Sequence, residues 1–260
     1  LDALALAQTS VAFVAFGLCA SGVYLLNDLL DLQADRLHAR KRRRPFAAGT
    51  LPVLHGALAV PLLTGVSAAL ALWCGWRFAL VLLGYWALTL AYSLYLKRLL
   101  MVDVVTLAAL YTLRIIAGAA AIGAPLSFWL LAFSMFIFLS LALLKRYTEL
   151  SAAQLAGHQK AVGRGYSTQD LPLIQSMGTA SGYMAVLVLA LYINSPDSLR
   201  LYHYPKALWL LCPMVLYWVS RMWMMAHRGG MHDDPIVFAA SDRVSVAVIA
   251  LCALAVLAAL

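Results

Sequence analysis

Three aspartates follow one another at helical spacing near the end of the first long apolar segment. They are Asp28, Asp31 and Asp35, and positions i, i+3 and i+7 share one face if the helix continues through them. Carboxylates this close repel one another, and a divalent cation relieves that repulsion. Hard oxygen ligands with incomplete protein coordination suit Mg²⁺ bridged to substrate phosphates. The spacing therefore predicts a magnesium site on these three residues, with Asn27 as an oxygen ligand or a partner of the ligands.

A basic run from Arg40 to Arg44 lies just after the aspartates. We expect it to hold the remaining charge of a bound phosphate, with Arg42 and Arg44 among the substrate-binding residues. The alternative is an acidic helix end that forms salt bridges with its own arginines and binds no metal. The spacing favours the metal site and leaves this alternative open.

Composition places the whole chain in a membrane. The 260 residues are 64% hydrophobic and 12% charged, with a mean hydropathy of +0.86. A soluble domain of this size has too small an interior for that much apolar surface, so we expect an all-α polytopic membrane protein. The four cysteines lie in apolar stretches and are interpreted as core residues, without disulfide or metal-site spacing.

Eight membrane spans are predicted, with the sixth short enough that it could begin earlier. They cover residues 4–27, 53–73, 76–96, 101–122, 127–145, 179–194, 206–226 and 243–260. Assigning the loops alternately to two sides puts fourteen Lys and Arg residues on one side, namely Arg36, Arg40, Lys41, Arg42, Arg43, Arg44, Lys97, Arg98, Lys145, Arg146, Lys160, Arg164, Arg228 and Arg243. The other side receives Arg77, Arg200 and Lys206. The positive-inside rule then predicts an inner-membrane protein whose acidic motif faces the cytoplasm. The net charge of +8 does not indicate nucleic-acid binding, because the positive residues are distributed according to the side of the membrane.

A second polar cluster begins where the fifth span ends. Lys145 and Glu149 are one helical turn apart, and Arg146 also reaches Glu149 at i+3. One interpretation is a salt bridge at a helix end. The other is a phosphate clamp in which Glu149 orients Lys145 or accepts a hydrogen bond from a sugar hydroxyl. In the following loop Arg164 lies between two glycines, a weak indication of a cationic lid.

Arg114 lies midway through the fourth span, where an unpaired cation is costly, so we expect it to face the bundle interior or a polar cavity. Asp103 precedes it by about three turns and should share its face. The alternative is that Arg114 only satisfies neighbouring carbonyl groups.

The last polar loop contains His232, Asp233 and Asp234, which could ligate a metal but are better interpreted as a solvated acidic turn. Asp242 is predicted to cap the final span at its N-terminus.

The motif from Asn27 to Asp35, followed by the segment from Arg44 to Gly49, resembles the first aspartate-rich motif of the UbiA superfamily of intramembrane prenyltransferases. The resemblance extends over essentially the whole chain. It implies nine helices around a central cavity, of which this chain holds spans two to nine, and Mg²⁺ binding to a diphosphate.

The second cluster departs from that pattern. Typical members have a second aspartate run after their sixth span, where this chain has Lys145-Arg146-Tyr147, then Glu149-Leu150. It is similar to the branch that contains decaprenyl-phosphate phosphoribosyltransferase, as are Asp242-Arg243 and the mid-span Arg114. The donor implied is phosphoribosyl pyrophosphate, and the acceptor is a polyprenyl phosphate used in cell-wall biosynthesis.

The resemblance also implies residue roles. Asp28, Asp31, Lys145 and Glu149 would be catalytic. Substrate binding would involve Asn27, Asp35, Arg42, Arg44, Lys97, Arg114, Arg146, Tyr147 and Arg164. Two other functions compete: prenyl transfer to an aromatic quinone or haem precursor, which uses the same first motif, and anion transport through Arg114. A homo-oligomer is left open.

Overall fold

The computed structural model describes residues 3–37, 41–157, 165–231 and 234–260. Within these ranges the secondary structure is helical, without a β-strand. The α-helices are α1 (Ala3–Leu30), α2 (Leu32–Leu37), α3 (Val53–Cys74), α4 (Trp76–Leu94), α5 (Val102–Ile122), α6 (Phe128–Leu155), α7 (Leu171–Ile193), α8 (Pro196–Leu201), α9 (Leu211–His227), α10 (Pro235–Ser241) and α11 (Arg243–Ala259).

Seven helices in the described part of the chain are long and apolar enough to cross a membrane. An eighth span results if α10 and α11, which meet at a bend of 82°, count as one broken span. The chain is an all-α polytopic membrane protein, as its composition predicts. One predicted boundary is wrong, because α6 runs on to Leu155 rather than ending at residue 145. The sixth span begins at Thr168, which confirms that it could begin earlier than residue 179. Helical polar segments continue both spans, and a hydropathy window does not register them.

The helices form two compact units. The first comprises Leu1–Tyr95 and Leu113–Pro125, and the second Leu96–Thr112 and Leu126–Leu260. In the first unit α1 packs against α3 and α4. The buried Ser67 hydroxyl of α3 donates to the Ala15 carbonyl of α1 at 2.7 Å, which satisfies its polar group inside an apolar contact.

In the second unit α7 packs between α6 and α9, and two glycines one turn apart allow the close approach. A Cβ on Gly178 would lie 2.1 Å from the Trp223 ring, and one on Gly182 would lie 2.4 Å from Val219. Small residues at such positions let membrane helices approach each other closely. The Ser140 hydroxyl of α6 donates to the Gly178 carbonyl at 2.7 Å and accepts from the Trp223 indole at 3.1 Å, so all three helices share one polar contact.

Candidate active site

The aspartates of the first motif stay helical across a small break. Helix α1 ends at Leu30 and α2 begins at Leu32, yet the Asp31 amide donates to the Asn27 carbonyl at 2.9 Å and the Asp35 amide donates to the Asp31 carbonyl at 2.8 Å. Helical spacing is therefore preserved through the turn. Asp28 and Asp35 come together on one partner, as their i, i+7 spacing predicts.

That partner is Arg44. Its Nη1 atom lies 2.8 Å from Asp28 Oδ1 and 2.8 Å from Asp35 Oδ2, in the first unit. The Asp35 side chain is 3% exposed, whereas those of Asp28 and Arg44 are 28% and 37% exposed. Within the described residues, Arg44 thus forms the salt bridges that the sequence raised as an alternative.

A short turn anchored in the unit's core places Arg44 there. The Ala48 amide donates to the Arg44 carbonyl at 2.8 Å, and Gly49 takes a φ of 75°, a conformation that favours glycine. Phe46 is buried, and its ring is so close to Gly56 of α3 that a Cβ there would lie 2.7 Å from it. The turn is therefore held by packing as well as by the ion pairs.

The donor set fits a divalent cation by its chemistry. Asp28 and Asp35 already enclose a positive charge, because both carboxylates bind the same guanidinium nitrogen. Asp31 and Asn27, half-buried on the same helical segment, would add oxygen ligands. In the described residues no group of three His, Cys, Asp or Glu side chains is arranged to hold a metal by itself. Substrate oxygens would have to complete the coordination, and the predicted metal ligands stay a prediction.

Arg114 belongs to the first unit and is exposed. Its guanidinium carbon lies 5.9 Å from the Phe16 ring centroid and 6.0 Å from that of Tyr85, and these two rings are 4.3 Å apart. Two aromatic faces therefore stabilise the cation. Asp103, which was expected to share its face, has its ion pair with Arg146 in the second unit.

In the second unit, Lys145 has a partner that the sequence did not predict. Its Nζ atom lies 2.5 Å from Asp234 Oδ2, with Lys145 34% and Asp234 29% exposed. The expectation of a solvated acidic turn is therefore wrong for Asp234, while His232 and Asp233 lie outside the described residues. Burial alone would raise the pKa of Asp234, but the charge and hydrogen bond of Lys145 and the backbone amides of Ile236 and Val237 lower it below its ordinary value. Asp234 is thus ionised at neutral pH.

Arg146 is buried in a charge network that we call the buried network, formed by Asp103, Arg146 and Tyr166. Arg146 Nε lies 2.8 Å from Asp103 Oδ2, a charge contact rather than an aligned hydrogen bond. The Tyr166 hydroxyl donates to Asp103 Oδ1 at 2.5 Å and accepts from the Met101 amide at 3.0 Å. Arg146 also pairs with Glu149, which is the predicted i, i+3 contact.

The remaining predicted residues are more scattered. Tyr147 is buried, its hydroxyl 3.0 Å from His227 Nδ1 and its ring edge-on to Trp223. Lys97 lies half-buried in a 3-10 turn, and Arg42 is exposed. Arg164 lies outside the described residues.

A small cavity of about 30 Å³ opens beside the Lys145–Asp234 pair. Its other walls are apolar and come from α5, α6 and the start of α10: Leu107, Tyr111, Leu141, Ala142, Pro235 and Ile236. The second unit thus presents a charged pair beside a small, mostly apolar cavity.

Comparison with known proteins decides the family. Residues 2–235 match the model of the UbiA prenyltransferase family, which is most of the chain. The chain belongs to this family. The UbiA fold is also that of a UbiA homolog from Archaeoglobus fulgidus bound to GPP and Mg²⁺, with a TM-score of 0.69, 16% identity, and coverage of 95% of this chain and 87% of that one.

Three relatives are similar to this chain in sequence over most of its length. The uncharacterised protein y4nM of Sinorhizobium fredii is 44% identical over 94% of this chain, which spans only 48% of that protein. The nodulation protein NoeC of Azorhizobium caulinodans is 36% identical over 89% of this chain and 76% of its own length. Decaprenyl-phosphate phosphoribosyltransferase of Mycolicibacterium smegmatis is 32% identical over 92% of this chain and 76% of its own length.

Sequence reasoning within this UbiA-family chain missed Asp234 and Tyr166. Asp234 is 89 residues from Lys145, and Tyr166 is 63 residues from Asp103. The available signal was chemical: a lysine and a buried arginine in consecutive positions both require anionic partners. Local spacing predicted Glu149 as an anionic partner and no other residue.

Proposed function

We propose that this protein transfers a 5-phosphoribosyl group from phosphoribosyl pyrophosphate to a polyprenyl phosphate and releases pyrophosphate. The bond from the anomeric carbon to a pyrophosphate oxygen breaks, and one to a lipid phosphate oxygen forms. Pyrophosphate leaves with the bonding electrons. The acceptor is already an anion, so the reaction requires no strong general base.

The observation that carries the proposal is the cationic character of the second cluster. Where an acidic run would bind a second metal, this chain presents Lys145 at the edge of a cavity, with Asp234 as its counter-ion. An ammonium group binds phosphate directly. The relatives with an assigned activity support the choice of donor, since they are decaprenyl-phosphate phosphoribosyltransferases at about one third identity.

In the first unit, Asp28, Asp31 and Asp35 with Asn27 would hold Mg²⁺. Bound there, the ion supplies charge neutralisation for the departing pyrophosphate. Arg44 binds both Asp28 and Asp35, and its forked N–H groups would also bind donor phosphate. The positive-inside distribution of lysine and arginine supports a cytoplasmic position for both clusters.

The second candidate is prenyl transfer from a polyprenyl diphosphate to an aromatic acceptor. It is favoured by the family to which the chain belongs and by the GPP bound to the Archaeoglobus fulgidus homolog. The two candidates share the first cluster and differ in what Lys145 would bind.

The test compares donors on the purified protein in detergent. Thermal unfolding is measured with phosphoribosyl pyrophosphate or farnesyl diphosphate, with and without Mg²⁺, and transfer to decaprenyl phosphate is followed with labelled donor. We expect Mg²⁺-dependent stabilisation by phosphoribosyl pyrophosphate, about 2.7 kcal/mol at a hundredfold excess over Kd, and its loss in Asp28→Asn. Stabilisation by farnesyl diphosphate alone would overturn the proposal in favour of prenyl transfer.

A further inference from the structure

We infer that Asp234 is a positioning residue for Lys145, holding the ammonium group at the cavity edge where a substrate phosphate meets it. This rests on the proposed function, in which Lys145 binds phosphate. Asp234 acts through Lys145 and does not itself contact the substrate.

The first support is that Asp234 is itself fixed. Its Oδ1 atom accepts the Ile236 amide at 3.0 Å and so caps α10, while Oδ2 binds Lys145. The two oxygens thus have separate tasks. A carboxylate held by its own backbone is a rigid counter-ion.

The second support is the anchoring of α10 at its other end. Asp242, directly after α10, forms a two-point ion pair with Arg221 of α9, at 2.6 and 3.1 Å. It also caps α11 by accepting the Ser245 amide at 2.8 Å, as the sequence predicted. The short helix that carries the Lys145 counter-ion is therefore tied to α6 at one end and to α9 at the other.

The consequence for Lys145 is a loss of freedom before substrate arrives. A lysine side chain loses rotamer entropy when it is ordered. The contact with Asp234 already orders the side chain, so less entropy is lost when a phosphate binds the ammonium. Lysine has three N–H donors, and the bond to Asp234 requires one of them.

The position of the Lys145–Asp234 pair indicates where the remaining N–H donors of Lys145 would bind a substrate. Lys145 and Asp234 both line the cavity, together with Pro235 and Ile236 at the start of α10. Displacement of the ammonium would therefore move it away from the apolar walls that would receive the rest of an amphiphilic substrate. Asp234 thereby fixes the position of the substrate's anionic head relative to these walls.

The experiment follows Lys145 directly. The purified full chain is acetylated with a limiting amine-reactive reagent, and modification of Lys145 is measured by mass spectrometry over a range of inorganic pyrophosphate concentrations. We expect pyrophosphate to protect Lys145, and Asp234→Asn to raise the concentration for half protection about tenfold, the size typical of coupled charged residues. Asp234→Glu should recover part of the loss, since it restores the charge.

Asp170→Asn is the matched control. Asp170 also accepts a backbone amide, that of Ser167 at 2.8 Å, beside a short helical turn of the same unit. We expect it to leave protection of Lys145 unchanged. A loss in this variant equal to that in Asp234→Asn would overturn the inference, because it would reflect general helix-capping damage.

Kinetics separate positioning from simple stability. In the transfer assay, Asp234→Asn should raise KM for polyprenyl phosphate more than it lowers kcat. In Lys145→Met, the further change Asp234→Asn should have no effect. Additive losses would overturn the inference. Absence of protection in the wild type, with phosphoribosyl transfer intact, would overturn it while leaving the proposed function standing. Protection by pyrophosphate with prenyl transfer instead would overturn the proposed function but support the role of Asp234.

Discussion

The acidic cluster of the first unit, Asp28, Asp31 and Asp35, and the buried network of the second unit both set carboxylates against an arginine. In the acidic cluster the side chains of Arg44 and Asp28 are 37% and 28% exposed, and that of Asp35, at 3%, is buried. In the buried network those of Arg146 and Asp103 are 2% and 0% exposed. The same pair of residue types therefore lies in two very different environments.

Exposure decides what each arginine can do. A pair open to water is worth at most about 1 kcal/mol, so a ligand can displace it at little cost. A buried pair cannot exchange partners, because removing one charge leaves the other desolvated and uncompensated. Arg44 is therefore suited to release its carboxylates and bind a ligand. Arg146, predicted from sequence to bind substrate, is better explained as a support for Lys145 and Tyr147 on either side of it.

Breaking the buried network should have the largest effect. Arg146→Met leaves the Asp103 carboxylate buried without its cation, and we expect a loss of about 3–5 kcal/mol in the free energy of unfolding. The measurement is unfolding in mixed micelles followed by tryptophan fluorescence. Arg44→Met, measured in parallel, should lose less, because Arg44 and Asp28 are open to water and only Asp35 is buried.

The double variant Asp103→Asn/Arg146→Met is the control for this comparison. It removes both charges, and we expect it to be more stable than Arg146→Met alone. Equal losses from Arg146→Met and Arg44→Met would contradict the distinction between the two arginines.

Local spacing predicted the contacts between residues that lie close together in the sequence. The motif from Asn27 to Asp35 gave the convergence of Asp28 and Asp35, and hydropathy gave seven spans and the broken eighth. The Arg146–Glu149 contact and the cap by Asp242 could also be predicted from the sequence, because each depends on residues within one helical turn.

Local spacing could not predict contacts between helices that are distant in the sequence. The partner of Asp103 depends on which face of α5 meets α6, and that follows from packing rather than from the eleven-residue interval to Arg114. The sequence predicts a solvated turn at Asp234 because His232, Asp233 and Asp234 lack helical spacing. Only the path of the chain after α9 brings it to Lys145.

The tyrosine of the buried network offers a smaller perturbation. Tyr166→Phe removes the hydroxyl that bonds Asp103 and the Met101 amide, at the start of α5, where Met101 has a φ of 63°. Loss of these hydrogen bonds leaves buried polar groups unsatisfied, so we expect a loss of about 1–3 kcal/mol in the free energy of unfolding at neutral pH.

The pH dependence of that loss is a separate check. Burial, followed by the hydrogen bond to Asp103 and its negative charge, raises the pKa of Tyr166 above its ordinary value of 10.0. The folded state therefore retains the phenol proton more strongly than the unfolded state. The stability due to Tyr166 is complete below pH 10 and falls as the pH rises from there toward the folded-state pKa. The difference between wild type and Tyr166→Phe should shrink above pH 10, and a constant difference would contradict this assignment.

The smallest expected effect on folding comes from Arg44, and it carries the most information about the acidic cluster. Arg44→Gln removes the cation that binds both Asp28 and Asp35, so a metal no longer competes with it. We expect Mn²⁺, measured by electron paramagnetic resonance without donor, to bind about tenfold more tightly, while the free energy of unfolding falls less than in Arg146→Met.

Arg36→Gln is the matched control, since it removes one positive charge from the exposed last turn of α2, one residue beyond Asp35. A general electrostatic effect would strengthen Mn²⁺ binding equally in both variants. Displacement from the carboxylates would strengthen it mainly in Arg44→Gln, because only direct contact makes the guanidinium a competitor at the metal position. Weaker Mn²⁺ binding in Arg44→Gln would mean that Arg44 organises the carboxylates for the metal instead of competing with it. The acidic cluster would then resemble the buried network in needing its arginine, despite its exposure.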